Sequence, residues 1–210
     1  MLGLIKKDFL LMKSNIKSMI IIFIVYLILA FQNTFDATSV VPIMGIMLFI
    51  STFSYDDFNN WNSYAITLPD GRKNVVKAKY IASIILIVIL GILSLCISIG
   101  INYARTNTVS LSQIIPSLMG SLLSSSIVVS LLYPVVFKFG ATNARIILFA
   151  VVFGIMGVIT IISKSVDITF IINMINSLDN YSFIIIPMMF VTLLSISYLI
   201  STNIYKNKEF

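Results

Sequence analysis

The sequence predicts an all-α membrane protein: one transmembrane domain, 1–210, of six spans with both termini cytoplasmic. Three observations predict it. Hydrophobic residues make up 59% of the chain and charged residues 10%, with a mean hydropathy of +1.04. A soluble domain carries roughly a quarter charged residues, so too few charges are present to coat a water-facing surface. Several apolar runs approach the roughly 20 residues that a helix needs to cross hydrocarbon. Finally, Lys and Arg are dense in alternate loops, as expected of an oriented multi-span chain.

The apolar runs cover about 16–31, 40–54, 80–103, 114–137, 144–163 and 182–204. Lys6, Lys7, Lys13 and Lys17 precede the first, and Arg72, Lys73, Lys77 and Lys79 separate the second from the third. Lys138 and Arg145 separate the fourth from the fifth, and Lys206 and Lys208 follow the sixth. The opposite side holds only Arg105 and Lys164. Cytoplasmic loops carry the Lys/Arg excess, which places both termini and the 55–80 loop in the cytoplasm. The net charge of +6 is thus read as membrane orientation rather than as a nucleic-acid surface. The apolar stretch after Lys17 runs too far for a cleaved signal peptide and is read as a retained first span.

Flanking elements follow from periodicity. In 1–15, Leu2, Ile5, Phe9 and Met12 recur at helical spacing, and Ile16 continues the series, while Lys6, Lys13 and Lys17 share another face. That pattern predicts an amphipathic helix in the interface. Between the fifth and sixth runs, 165–181 is too polar to cross and predicts an outer amphipathic helix or re-entrant hairpin. In the fourth run Ser117, Ser121 and Ser125 repeat at four, as do Gly120 and Ser124. Small residues at that spacing let helices approach closely in lipid. Packing within one subunit, a dimer seam and a translocation wall are all open readings of this face. Pro134 and Pro187 are candidate kink positions. Cys96, the single cysteine, reads as a small core residue.

The missing chemistry is equally informative. Without histidine, Ser-His and Cys-His catalysis and histidine metal ligation are excluded. The one glutamate is Glu209, and no phosphate-cradling G-x-x-x-x-G-K-[ST] motif occurs. The span interiors lack Asp, Glu, Lys and Arg, so a carboxylate relay for ion coupling is not expected. No catalytic, cofactor or metal site is predicted in this chain. If the chain moves something uphill, the energy must arrive from outside it.

The polar passage between the second and third runs carries most of the remaining signal. Phe58, Trp61, Tyr64, Ala65 and Leu68 lie three and four apart, with Asp56, Asp57, Asn59, Asn60, Asn62 and Ser63 between them. Acidic residues favour the positive end of a helix. Pro69-Asp70-Gly71 makes a stop and turn, and "RKNVVKAKYI" follows. This predicts a short cytoplasmic helix, 56–68, with an aromatic face that anchors on the membrane or docks a partner. Lys6, Lys7, Lys13, Arg72, Lys73, Lys77 and Lys79 are expected at the lipid headgroups.

The run "DDFNNWNSYAITLPDGRKNVVKAKYI" and the opening "LGLIKKDFLLMK" resemble the membrane subunits of type-2 ATP-binding cassette (ABC) exporters. Within that class they are similar to small stand-alone permeases of Gram-positive bacteria that export amphipathic peptides and toxins or protect against antimicrobial peptides. The resemblance implies that 1–15 is an elbow helix and 56–68 a coupling helix, with Asp57, Phe58, Trp61, Tyr64 and Leu68 engaging a separate ABC ATPase. It further implies two permeases, two ATPases with ATP and Mg bound in the ATPase, and amphipathic peptide or lipid-like cargo exported across a bacterial plasma membrane. The second copy is expected to be identical or a paralogue. The competing reading is a non-transport immunity or sensor protein that binds antimicrobial peptides. An intramembrane enzyme and a solute channel are weaker alternatives.

Overall fold

A computed structural model describes residues 2–32, 36–65, 67–68, 71–106, 111–165 and 182–208. Among them all regular structure is helical. In hydrocarbon every backbone N–H and C=O needs an internal partner, and an α-helix supplies one within its own segment. The elements are α1 (Leu2–Ser14), α2 (Ile16–Phe31), a 3-10 turn (Ala37–Ser39), α3 (Val40–Phe58), α4 (Trp61–Ala65), α5 (Gly71–Thr106), α6 (Leu111–Ser165) and α7 (Ser182–Lys206).

Among the described residues, four stretches are long and apolar enough to cross a membrane: Ala37–Phe58, Gly71–Arg105, Leu111–Ala141 and Ile185–Lys206. The bent pair α1 and α2, meeting at 65°, makes a fifth if taken together. This is a multi-pass membrane protein. Expected spans 80–103 and 182–204 sit inside longer helices, because α5 begins at Gly71 and α7 ends at Lys206. The outer helix expected over 165–181 lies outside the described residues beyond Ser165, as does the Pro69-Asp70 turn.

One expectation needs correction. The fourth and fifth runs are not joined by an extended loop; α6 continues through both, interrupted by non-helical backbone at Gly140 (φ 80°). Pro116 and Pro134 both sit inside α6, yet the break falls at the glycine. Glycine takes a positive φ without a Cβ penalty.

α7 packs chiefly on α6, which in turn packs on α3, and α5 touches all three. Their shared core is aromatic. Tyr133 stands edge-on to Phe53 (5.0 Å between centroids) and Tyr80 (4.8 Å), and Phe137 stands edge-on to Phe53 (5.3 Å) and Tyr205 (5.2 Å). Each edge-to-face pair contributes about 0.5–1.5 kcal/mol beyond its buried area. The Tyr80 hydroxyl is satisfied by Ser197 (2.6 Å) and Ser201 (2.8 Å), and Ser197 donates to the Ser130 carbonyl (2.7 Å). These bonds stitch α5 to α7 and α7 to α6. Outward faces stay apolar, as at Ile21, Ile28, Val88, Ile92, Val191 and Leu199. So continuous an exposed apolar surface suits lipid rather than water.

Candidate functional site

The end of the bundle where α1, α4, the start of α5, the Gly140 turn and the tail of α7 converge concentrates unusual chemistry. Asp8 of α1, Asp56 of α3 and Lys79 of α5 are 2%, 4% and 3% exposed. The Lys79 ammonium donates to Asp8 Oδ1 at 2.9 Å and lies 2.6 Å from Asp56 Oδ2. Lys7 reaches Asp56 Oδ1 at 2.5 Å and approaches Asp8 at 3.5 Å. Two cations and two anions thus form a closed neutral ring joining three helices. A buried charge persists only when paired and hydrogen-bonded, and removing one member strands the others. Lys79 also lies 4.6 Å from the centre of the Phe53 ring, so the charge ring rests on the aromatic core.

The network corrects two expectations. Lys79 is not among headgroup-facing cations; it is enclosed between two carboxylates. Nor does the inner face of α1 rest only on apolar side chains, since its buried residues are Asp8 and Met12, four apart. Leu2, expected on that face, is 84% exposed. Leu4 and Phe9 pack beside the core, while Lys6 and Lys13 face outward. Burial pulls the Lys7 ammonium below the usual lysine range, Lys79 adds to this, and Asp56 and Asp8 oppose it.

Asp57 points elsewhere. Its Oδ2 accepts from the Ala141 backbone N–H at 2.5 Å, capping the half of α6 that begins after Gly140. The first N–H groups of a helix lack intrahelical partners, and a carboxylate there also meets the positive end of the helix dipole. A Cβ at Gly140 would lie 3.2 Å from that same oxygen. Nearby, Lys208 donates to the Phe137 carbonyl at 2.8 Å, closing the preceding half of α6. Burial lowers the Lys208 ammonium, and Asp57 opposes the shift.

The 56–68 segment is not one helix. α3 runs on to Phe58, Asn60 takes a left-handed conformation (φ 50°), and α4 covers only Trp61–Ala65. Asparagine tolerates that conformation, which ends α3 and turns the chain. Gly71 then starts α5 so close to α4 that a Cβ there would overlap the Ala65 carbonyl oxygen. Of the five residues singled out in this segment, Phe58 (85% exposed) and Tyr64 (58%) project outward. Trp61 is half-buried, 5.2 Å from the Tyr64 ring, with the Lys7 ammonium 4.3 Å from its own ring centre. Leu68 is half-buried and Asp57 is turned inward. Among the other basic residues, Lys73 and Lys77 are exposed, and Arg72 donates to the Lys206 carbonyl.

At the opposite end Arg105 donates to the carbonyls of Ala30 (2.7 Å) and Phe31 at the C-terminal end of α2, where helix carbonyls lack intrahelical partners. Beside it, a cleft of about 430 Å³ is lined by Ser117, Gly120, Ser121 and Ser124 with Asp36 and Thr38. Ser117, Ser121, Ser124 and Ser125 each donate to a carbonyl three residues back in α6. Their hydroxyls are therefore satisfied locally, and Ser125 is buried while Gly120 is open.

The chain matches the family model described as ABC-2 family transporter protein over residues 3–206. It belongs to that family. Searches of curated proteins and of solved structures return no match. As an ABC-2 family chain it is the membrane-embedded, transporting component of an ABC system, a role generally not itself catalytic and one that implies an ABC ATPase as partner.

Proposed function

We propose that this ABC-2 chain is the permease of an ATP-driven exporter and that Phe58 and Tyr64 are its docking knob for the separate ATPase. In this reading α1 is the elbow helix, the Asp56–Leu68 segment is the coupling element, and α2, α3, α5, the two halves of α6, and α7 are six spans. Both termini face the cytoplasm. Two copies assemble with two ATPases, which hold ATP and Mg. The cargo is an amphipathic peptide or lipid-like molecule crossing a bacterial plasma membrane, and resistance to antimicrobial peptides is the expected physiological outcome.

The observation that carries the reading is the wiring directly behind Phe58. Asp56 and Asp57 precede it in α3. Asp56 is paired with Lys7 of α1 and Lys79 of α5, and Asp57 is bonded to Ala141 of α6. A push on two exposed aromatics at this corner therefore reaches α1, α3, α5 and the second half of α6 through short polar contacts. Exposed aromatics are good interface anchors, while the acid pair moves with the backbone that bears them. The Ser117–Ser124 cleft, with hydroxyls already satisfied inside its own helix, offers a soft wall for amphipathic cargo or for a second copy.

Co-purification tests the docking. The chain is expressed with its ATPase as wild type and as Phe58→Asp/Tyr64→Asp. Seating a carboxylate in a desolvated contact costs several kcal/mol. The wild type should retain the ATPase and the variant should lose it while remaining membrane-inserted. Equal retention by both chains would contradict the proposal. Absence of ATPase from the wild type would favour the immunity or sensor reading.

A further inference from the structure

α5 and α7 leave a groove between them whose chemistry changes along its length. On α5, Lys73, Lys77, Ile81 and Ile84 step down one face at helical spacing. At the basic end a cavity of about 180 Å³ is lined by Arg72, Lys73, Thr202, Asn203 and Lys206. Below it, along the same two helices, a cavity of about 420 Å³ has Lys77 on its lining and Ile81, Ile84, Phe190, Val191 and Leu194 within. From Arg72 to Ile84 the helix rises about 18 Å, close to half the roughly 30 Å hydrocarbon thickness. Lys73, Lys77 and Lys206 are exposed, and among the described residues none has an acidic partner.

We propose that this groove holds one anionic phospholipid from the leaflet at the basic end. Its phosphodiester meets Lys73, Lys77 and Lys206, and an acyl chain lies over Ile81, Ile84 and Val191. A basic mouth above an intramembrane apolar slot between helices suits an anionic headgroup with its tail. A zwitterionic lipid brings its own cation to the same lysines and gains less. A second copy is disfavoured, because a two-fold contact would set this cationic mouth against itself. The leaflet assignment rests on the orientation given under Proposed function; the groove itself does not.

The test is native mass spectrometry of the full chain in detergent, titrated with dioleoylphosphatidylglycerol or dioleoylphosphatidylcholine. The wild type should hold phosphatidylglycerol at least about tenfold more tightly. Lys73→Gln/Lys77→Gln/Lys206→Gln should erase that preference, at about fivefold per charge. Lys6→Gln/Lys13→Gln, which removes exposed cations of α1, should keep it. Ile84→Trp, which fills the slot, should weaken both lipids. Equal binding of the two lipids by wild type, or an unchanged preference in the triple variant, would overturn the site. So would an Ile84→Trp chain that becomes monomeric with lipid binding intact, which would assign the groove to a second copy. The co-purification with the ATPase, run in parallel, separates the two proposals: a phosphatidylglycerol preference in a chain that retains no ATPase sustains the lipid site while the docking proposal fails.

Discussion

Lys79 departs sharply from what its place in the sequence suggests. It is a lysine in the basic passage before a span, and such residues ordinarily reach the headgroups. Its burial between Asp8 and Asp56 makes it a strut instead. Lys79→Met should cost about 3–5 kcal/mol, because two carboxylates would share one half-buried Lys7. Thermal unfolding in detergent measures it, and Asp8→Leu added to Lys79→Met should restore part of the loss by rebalancing charge. Lys7 supplies a pH dependence. Its folded pKa lies below the usual 10.5, so the native state releases this proton more readily than the unfolded chain. The cost is full below the lowered value and disappears as pH rises toward 10.5, so stability grows across that window. Unfolding midpoints of wild type relative to Lys7→Met should therefore rise as the pH climbs toward 10.5. This ring was hard to read from sequence because Asp8 and Lys79 are 71 positions apart. A local hint existed: of eight acidic residues in the chain, Asp8, Asp56 and Asp57 all fall beside the basic clusters assigned to one side of the membrane.

Among the elements, the Gly140 turn and the α3–α4 corner decide the geometry. α2 occupies the expected 16–31, since an uninterrupted apolar run leaves little choice of state in lipid. The break in α6 was less legible. Pro134 is the stronger sequence signal for a kink, but a proline inside a span is accommodated by its surroundings, whereas the positive φ at residue 140 needs glycine. Gly140→Ala should therefore destabilise by about 1–3 kcal/mol from backbone strain alone, with the Asp57 oxygen opposing the new methyl as well. Asp57→Ala, which removes the cap on Ala141, should cost about 1 kcal/mol. Both are measured by thermal unfolding, and the combined variant should cost less than the sum because both act on one contact. The 56–68 helix was legible as an aromatic-faced segment but not as two pieces, because a left-handed asparagine leaves no trace in hydrophobic spacing.

At the scale of the whole molecule, a neutral ion ring sits on an aromatic core with two exposed aromatics at its corner. Composition and the Lys/Arg asymmetry made the membrane class and the basic end readable, since both rest on sums over many residues. They could not separate an aromatic that packs from one that projects outward, because Phe58, Trp61 and Tyr64 share one helical spacing. Trp61 stacks under Lys7, and only Phe58 and Tyr64 are free to meet a partner's surface. The most direct measurement is therefore a crosslink. Cys96 is the only cysteine, so Cys96→Ser gives a clean background for Phe58→Cys or, as a lipid-facing control, Leu199→Cys. Each chain is labelled with a photoactivatable maleimide in membranes holding the ATPase. A crosslink to the ATPase from position 58 and none from position 199 is the predicted result. Capture from both positions alike, or from neither while the ATPase is present in the complex, would contradict the docking corner.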